Sequence, residues 1–466
     1  MVIRFSSELA IPHPLGVKPM GNLFMSPNLK ESFEKKSKSL GFFSFLSEDI
    51  FIDILSYLPE SDLVSLGSTS QYMHAYSSFD ELWKELFWQK DGEKKFKTSW
   101  KNSLMGVSQI TFSDIYSDLL YTPYRTSGMF PSNKWLAIEN IERRASISVS
   151  TFLNEFEILN KPMILTGYIA EHWPHFPKTM DEILELEKGD SAASYSCGQV
   201  SMTLTEFREY MNSGVSRLDE SPYFVFDAWA FASSGMKKLY SVPPIFETDL
   251  FDLLDPPFRP DNAWLLIGAA NSASKWHVDP NATNAWNGVV SGAKRWLLLP
   301  PHLGPPPGVE VSSDGFAVKQ PLHLRDWFAS FYQETVRQHG PSGSRGLVEC
   351  TCRSGEIVFI PRGWWHCVLN VEPTIAVTQN YAAESSLSHV RQFVKKFPHC
   401  VSGIDIEFRP LLGHQLDIAI TSKRPDLKIT HIEEDVDESG AKKLKKDDEE
   451  WSFWGNLGDK SLQYNR

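Results

Sequence analysis

Two side chains that bind metals stand one residue apart in "SKWHVDPNATNAWNGVVSGAKRWLLLPP", Ser274 to Pro301. On an extended segment His277 and Asp279, at i and i+2, point to the same side, so an imidazole nitrogen and a carboxylate oxygen can share one ion. Two ligands hold a transition metal poorly. A third candidate is His366 in "PRGWWHCVLN", inside a strand that follows a turn at Pro361, Arg362 and Gly363. Two histidines and one carboxylate make the facial set of non-haem Fe(II) oxygenases, which leaves coordination positions open for a co-substrate and O2. A catalytic zinc uses the same ligand types, so these residues alone leave the metal open. The plainer alternative is a hydrogen-bonded core histidine at 277 and a strand-ending turn at Asp279-Pro280-Asn281.

Lys294, in "AKRWLLLPP", adds a second constraint. Strand alternation puts Lys294, Trp296 and Leu298 on one face and Arg295, Leu297 and Leu299 on the other. One of two adjacent cations is thus directed at an apolar interior, where an ammonium is costly unless paired. No acidic residue is near in sequence. A bound carboxylate meets the need, and 2-oxoglutarate carries two: one end for the metal, the other for a cation. Arg295 is expected to face outward. The alternative for Lys294 is a stem that snorkels to the surface.

These residues need a β-scaffold, and the chain supplies one. From Ile141 onward strand-like segments recur between Gly and Pro breaks: "KPMILTGYI", "SPYFVFDAW", "AWLLIGAA", "AKRWLLLPP", "GEIVFIPRG", "WWHCVLNV" and "TIAVTQNY". "LTEFREYMNSG" reads as a short helix ending near Gly214. The spacing predicts an all-β barrel or jelly roll. Ahead of it, "LSEDIFIDILSYLPESDLVSLGSTSQYMHAYSSFDELWKELF" has helical spacing. Ser47 is the expected cap of a helix through Ile50, Ile54 and Leu58 that stops at Pro59, Ser61 or Asp62 restarts a second, and Asp80 precedes a third.

The remaining chain sets the domain plan. Residues 1–40 are rich in Pro, Gly, Ser and Lys and read as a mobile leader. Residues 41–90 form the helical domain, 91–130 a connector, 131–400 the β-region with its core at about 230–400, and 401–466 an extension. The extension ends in blocks of charge, with Lys442, Lys443, Lys445 and Lys446 flanked by acids. At 466 residues, 42% of them apolar, with 15 Trp and 30 Phe, the chain can build a large core. Its net charge of −12 argues against nucleic acid or an anionic membrane as a partner. Five scattered cysteines fit a reducing compartment, and the Cys350–Cys352 pair reads as strand residues. No apolar run reaches about 18 residues. We therefore expect a soluble protein of nucleus and cytoplasm.

The helical segment resembles the F-box through Leu46, Glu48, Ile54, Leu55, Leu58, Asp62, Leu63, Leu66 and Leu82-Trp83. It departs at Ser47, where F-boxes usually carry Pro. The resemblance implies docking to a Skp-type adaptor of a cullin–RING ubiquitin ligase, with Leu46, Ile50, Ile54 and Leu58 as the apolar surface. The β-region resembles the JmjC oxygenases, nearest the arginine demethylase/lysyl hydroxylase subgroup. The match runs over "NKPMILTGY", "SPYFVFD", "HVDPNATNAWNGVVSGAKRW" and "GEIVFIPRGWWHCVLNVEPTIAVTQNY".

This second resemblance implies a multidomain α+β chain: a small helical F-box, then a double-stranded β-helix (jelly roll, cupin-like) with flanking helices. It implies Fe(II), with 2-oxoglutarate and O2 as co-substrates, and His277, Asp279 and His366 as catalytic metal ligands. Ser274, where Thr is frequent, Asn287 and Lys294 correspond to the co-substrate residues, and Asn380, grouped with them, to an Asn behind the metal site. Trp286 and Trp296 correspond to packing residues around the pocket. Phe224 stands where the subgroup has a co-substrate Tyr, which implies weaker 2-oxoglutarate binding. The expected activity is hydroxylation or N-demethylation of a protein Lys or Arg side chain. The alternative is a non-catalytic F-box receptor that uses the barrel only to bind.

Overall fold

The computed structural model describes residues 13–20, 29–107, 111–112, 114–127, 132–187, 193–198, 200–219, 221–312, 317–321, 323–340 and 346–427. The chain divides into two compact units: Met1–Ser132 with Thr205–Pro222, and Asn133–Leu204 with Tyr223–Arg466. Among the described residues no helix is long and apolar enough to cross a membrane. The charged tail with Lys442 to Lys446 lies outside them.

In the first unit, helices Glu48–Ser56, Glu60–Gly67, Gln71–Ser77 and Asp80–Gln89 pack around Phe51, Leu55, Leu63, Tyr76 and Trp83. Ser47 occupies the cap position but makes no capping bond. Its hydroxyl instead serves the exposed Asp49, whose carboxyl it helps hold below the usual range. Pro59, not Ser61 or Asp62, precedes the second helix. Glu48 is an internal hub. It accepts from the Tyr76 hydroxyl at 2.7 Å and the Ser117 hydroxyl at 2.7 Å, and it pairs with Lys36. The apolar residues named for docking divide: Ile50 and Ile54 are 49% and 40% exposed, while Leu46 and Leu58 are half-buried.

Two expected boundaries are corrected. The leader is ordered in part: helix Leu29–Leu40 carries Lys36, and Val17–Lys18 pairs in parallel with Ile115–Tyr116. Leu15 and Val17 are buried, so this stretch contributes to the core despite its lack of periodicity. The connector is not a separate piece either. Its helix Trp100–Met105 belongs to the first unit, as does a segment from far downstream. Tyr210 stacks on Trp100 at 6.0 Å, and Lys84 reaches Asp219 at 3.0 Å.

The second unit holds the β-scaffold. The strands of its two main sheets are β1 (Glu142–Arg144), β2 (Met163–Thr166), β3 (Phe224–Asp227), β4 (Ala263–Gly268), β5 (Ala273–His277), β6 (Asn284–Ser291), β7 (Ala293–Leu299), β8 (Val348–Arg353), β9 (Glu356–Ile360), β10 (Trp365–Asn370) and β11 (Thr374–Tyr381). A seven-stranded sheet runs β1-β2-β9-β6-β11-β4-β3, and a four-stranded sheet runs β8-β7-β10-β5. Ile164, Ala285, Val289 and Val358 of the larger sheet and Trp296, Leu298, Cys350 and Val368 of the smaller form one buried cluster between them. Chains of β-branched and aromatic residues, buried on both faces, explain why these segments read as nearly continuous apolar runs. The fold is the jelly-roll class expected.

Arg295 corrects a further expectation. It does face away from Lys294, but not to solvent. Its side chain is 0% exposed and pairs with Glu349 at 2.8 Å, with Ile138 carbonyl accepting at 2.8 Å. Helical and loop segments cover that face of the small sheet, which alternation cannot reveal. Trp286 is a packing residue, on the outer face of the larger sheet. It alternates with the inward Ala285 and Asn287, and packs against Trp173 and Phe246 at 6.1 Å each.

Candidate metal and co-substrate site

His277 ends β5 and lies directly across from His366 on β10. The same register pairs Ser274 with Val368, so three steps on β5 face two on β10. This bulge lets Ser274 and His277, three apart, address one side of the sheet. Asp279 follows in the turn to β6. Behind it Asn281 and Ala282 adopt positive φ, at 60° and 56°.

Each imidazole is oriented by a carbonyl. His277 Nδ1 is 2.7 Å from Lys275 carbonyl oxygen, and His366 Nδ1 is 3.0 Å from that of Trp364. A carbonyl only accepts, so Nδ1 carries the proton in both rings and each Nε2 presents a lone pair. Those Nε2 atoms lie 4.0 Å and 3.8 Å from Asp279 Oδ1, and the ring centroids are 4.1 Å apart. Among the described residues these three are the group of His, Cys, Asp and Glu able to hold a metal ion. Burial keeps both rings neutral, each lowered to about 4, with the neighbouring His366 adding to the effect of burial on His277. Burial raises the Asp279 carboxyl, opposed by His277 and by a hydrogen bond from Asn380. Two neutral imidazoles and one carboxylate suit a divalent cation.

The other half of the cavity fits a carboxylate. Lys294 is 4% exposed, and burial brings its ammonium down to about 8. Its hydrogen-bond partner is neutral: Asn370 Oδ1 at 3.0 Å. Asn287, also on an inward position, is 4% exposed and its Oδ1 has no partner. A buried cation without an acid and an orphaned amide oxygen are unusual in a finished core. Both are accounted for by a polar anionic guest. Phe224 lies on edge strand β3 opposite Gly268, facing inward as the alternation predicts, and offers no hydroxyl there.

The structure brings the candidate residues from sequence together. Asn380, expected behind the metal site, hydrogen-bonds Asp279 and also donates to Thr283 hydroxyl at 3.0 Å. Sequence reasoning missed Asn370, although alternation from His366 through Val368 places it on the ligand face. It also missed Thr378, which lies across from Asn287.

Comparison with known proteins agrees with both modules. The family described as "Cupin-like domain" matches residues 149–387, and the one described as "F-box-like" matches residues 48–89. The chain is 34% identical to the arginine-specific demethylase JMJ22 of Arabidopsis thaliana, over 84% of this chain and 78% of the relative. It is 34% identical to the bifunctional arginine demethylase and lysyl-hydroxylase psr-1 of Caenorhabditis elegans, over 60% and 68%. It is 24% identical to the 2-oxoglutarate and iron-dependent oxygenase JMJD4 of Danio rerio, over 55% and 63%.

Proposed function

Because this chain belongs to the cupin-like (JmjC) family, with an F-box-like module ahead of the barrel, we propose that it is an iron- and 2-oxoglutarate-dependent oxygenase of protein side chains. One observation carries the reading. The Nε2, Nε2 and Oδ1 donor set faces the same barrel interior as a buried ammonium that lacks an acidic partner.

His277, Asp279 and His366 would hold the iron. Lys294 would pair with the far carboxylate of 2-oxoglutarate, and Asn287 and Ser274 would add polar contacts along it. With both bound and O2 as the oxidant, the site would supply oxidative decarboxylation of the co-substrate to succinate and CO2, one oxygen atom going to succinate and the other to the substrate C–H bond. The protein contributes placement and dryness. Trp296, stacked on His366 at 5.9 Å, together with Leu298 and Val368, keeps water from the ligand face. Asn380 fixes the carboxylate of Asp279, and two backbone carbonyls fix the tautomers of the histidines.

The substrate class follows the named relatives: an arginine or lysine side chain, hydroxylated at carbon or relieved of an N-methyl group. The F-box-like module supports assembly with a Skp-type adaptor and a cullin–RING ligase through Ile50 and Ile54. Nucleus and cytoplasm remain the proposed compartments, in keeping with five free cysteines.

The test uses purified full-length protein with iron and 2-oxoglutarate. Peptides carrying lysine, arginine or N-methylarginine are offered, and succinate and peptide mass are followed. Gain of an oxygen reports hydroxylation; loss of a methyl group with formaldehyde reports demethylation. Absence of succinate with every peptide and without peptide, in metal-loaded protein, would sink the proposal.

A further inference from the structure

Lys294 is held by a relay that ends in a turn between the two sheets. Asn370 Oδ1 accepts from the ammonium at 3.0 Å. Asn370 Nδ2 donates to Ser272 Oγ at 2.7 Å. The Ser272 hydroxyl donates its single proton to Ala269 carbonyl oxygen at 2.7 Å. With that proton committed, Ser272 Oγ can only accept, so it requires the NH2 side of the Asn370 amide. The carbonyl side is thereby presented to Lys294. The relay reads the amide in one orientation only.

The backbone is built to the same end. Asn370 N–H donates to Ser272 carbonyl at 2.9 Å, and Asn271 N–H donates to Asn370 carbonyl at 2.7 Å. Asn271 sits at φ 68°, in the left-handed region that lets the chain turn from β4 into β5. Gly268 leaves the space for the amide, since a Cβ there would lie 2.1 Å from Asn370 Nδ2. Asn370 and Ser272 are buried, at 5% and 0% exposure.

We propose that Asn370, locked by Ser272 in the lee of Gly268, is a positioning residue for the co-substrate: it aims the Lys294 ammonium while leaving it uncompensated. An acid in its place would satisfy the charge from within, and the far carboxylate of the guest would lose its partner. A neutral amide fixes one of the three ammonium donors and keeps the charge free for a dicarboxylate. The inference rests on the proposed 2-oxoglutarate site.

The experiment compares binding of 2-oxoglutarate with that of 2-oxopentanoate, which has the same keto-acid end and no far carboxylate. Full-length protein loaded with Mn(II) is titrated with each, and Mn(II) affinity and thermal midpoint are recorded in parallel. Wild type is expected to prefer the dicarboxylate by at least about tenfold. In Asn370→Asp that preference should collapse to near unity with Mn(II) affinity unchanged. In Ser272→Ala, which frees the amide to rotate, it should fall about threefold. A merely structural role would weaken both keto acids alike and leave the ratio intact. Retention of the full preference in Asn370→Asp overturns the role of Asn370. Absence of any preference in wild type overturns instead the co-substrate reading on which it rests. If Asn370→Asp fails to fold, Ser272→Ala decides, and an unchanged ratio there overturns the relay.

Discussion

Arg295 and Glu349 form an ion pair sealed from water: Nη2 lies 2.8 Å from Oε2, and the side chains are 0% and 1% exposed. Tyr332 hydroxyl donates to the same carboxylate at 3.0 Å, and the guanidinium lies 4.9 Å from the centre of the Trp135 ring. One residue earlier on the strand, Lys294 has no such acid. The two neighbouring cations therefore do different work. One is a closed structural pair, and the other is left open toward the cavity.

Removing one member of the closed pair strands the other in an apolar setting. Glu349→Gln is expected to cost about 3–5 kcal/mol of unfolding free energy. Equilibrium denaturation measures the loss. The same variant, while folded, should bind 2-oxoglutarate as wild type does, because Glu349 faces away from the cavity.

The open cation makes co-substrate binding fall at alkaline pH. Burial lowers Lys294 to about 8 from 10.5, so the folded protein sheds this proton first. Affinity for 2-oxoglutarate should decline above about pH 8, approaching tenfold per unit. Between that pH and about 10.5 the unfolded chain binds more protons at this site, so its contribution to stability rises over the same window. The burial penalty is fully present below pH 8 and is relieved above it. Lys294→Met should abolish the alkaline decline and lower affinity on the order of 100-fold at neutral pH. An alkaline decline that persists in that variant would assign it to another group.

Metal should stabilise the fold through the three ligands. At free Mn(II) about 100-fold above its dissociation constant, linkage gives about 2.7 kcal/mol. His277→Ala and His366→Ala are each expected to remove that increment. Thermal unfolding with and without a chelator provides the measurement, and metal-dependent stabilisation surviving in both variants would place the ion elsewhere.

Adaptor binding should separate from oxygenase chemistry. Ile50→Asp with Ile54→Asp places charges on exposed positions, where the change in stability should stay within about 0.5 kcal/mol each. Co-purification with the Skp-type adaptor should be lost, while succinate formation is unchanged. Retained adaptor in the double variant would move the docking surface off this helix face.

The candidate metal ligands His277 and Asp279 were legible because an i, i+2 pair on a strand needs only local geometry, and Lys294 because alternation assigns a face. What covers the opposite face is set by contacts distant in sequence. That is why Arg295 read as solvent-facing. The bulge that brings Ser274 beside His277 carries no local signal in "SKWH". Asn370 was readable from the alternation of β10, but its role depends on a turn nearly a hundred residues earlier. In the first unit, helical spacing located the helices. It could not show that Leu15 and Val17, in a Pro- and Gly-rich stretch, complete their core.

The stretch Thr205–Pro222 has a consequence for dividing the chain. The backbone leaves the barrel unit after Leu204, contributes Tyr210 and Asp219 to the F-box-bearing unit, and returns at Tyr223 to begin the edge strand that carries Phe224. A cut at residue 132 therefore parts Tyr210 and Asp219 from Trp100 and Lys84, their partners within the first unit. The F-box-like match itself spans only residues 48–89, so a piece ending at 132 keeps that motif and is expected to lose stability, not the motif.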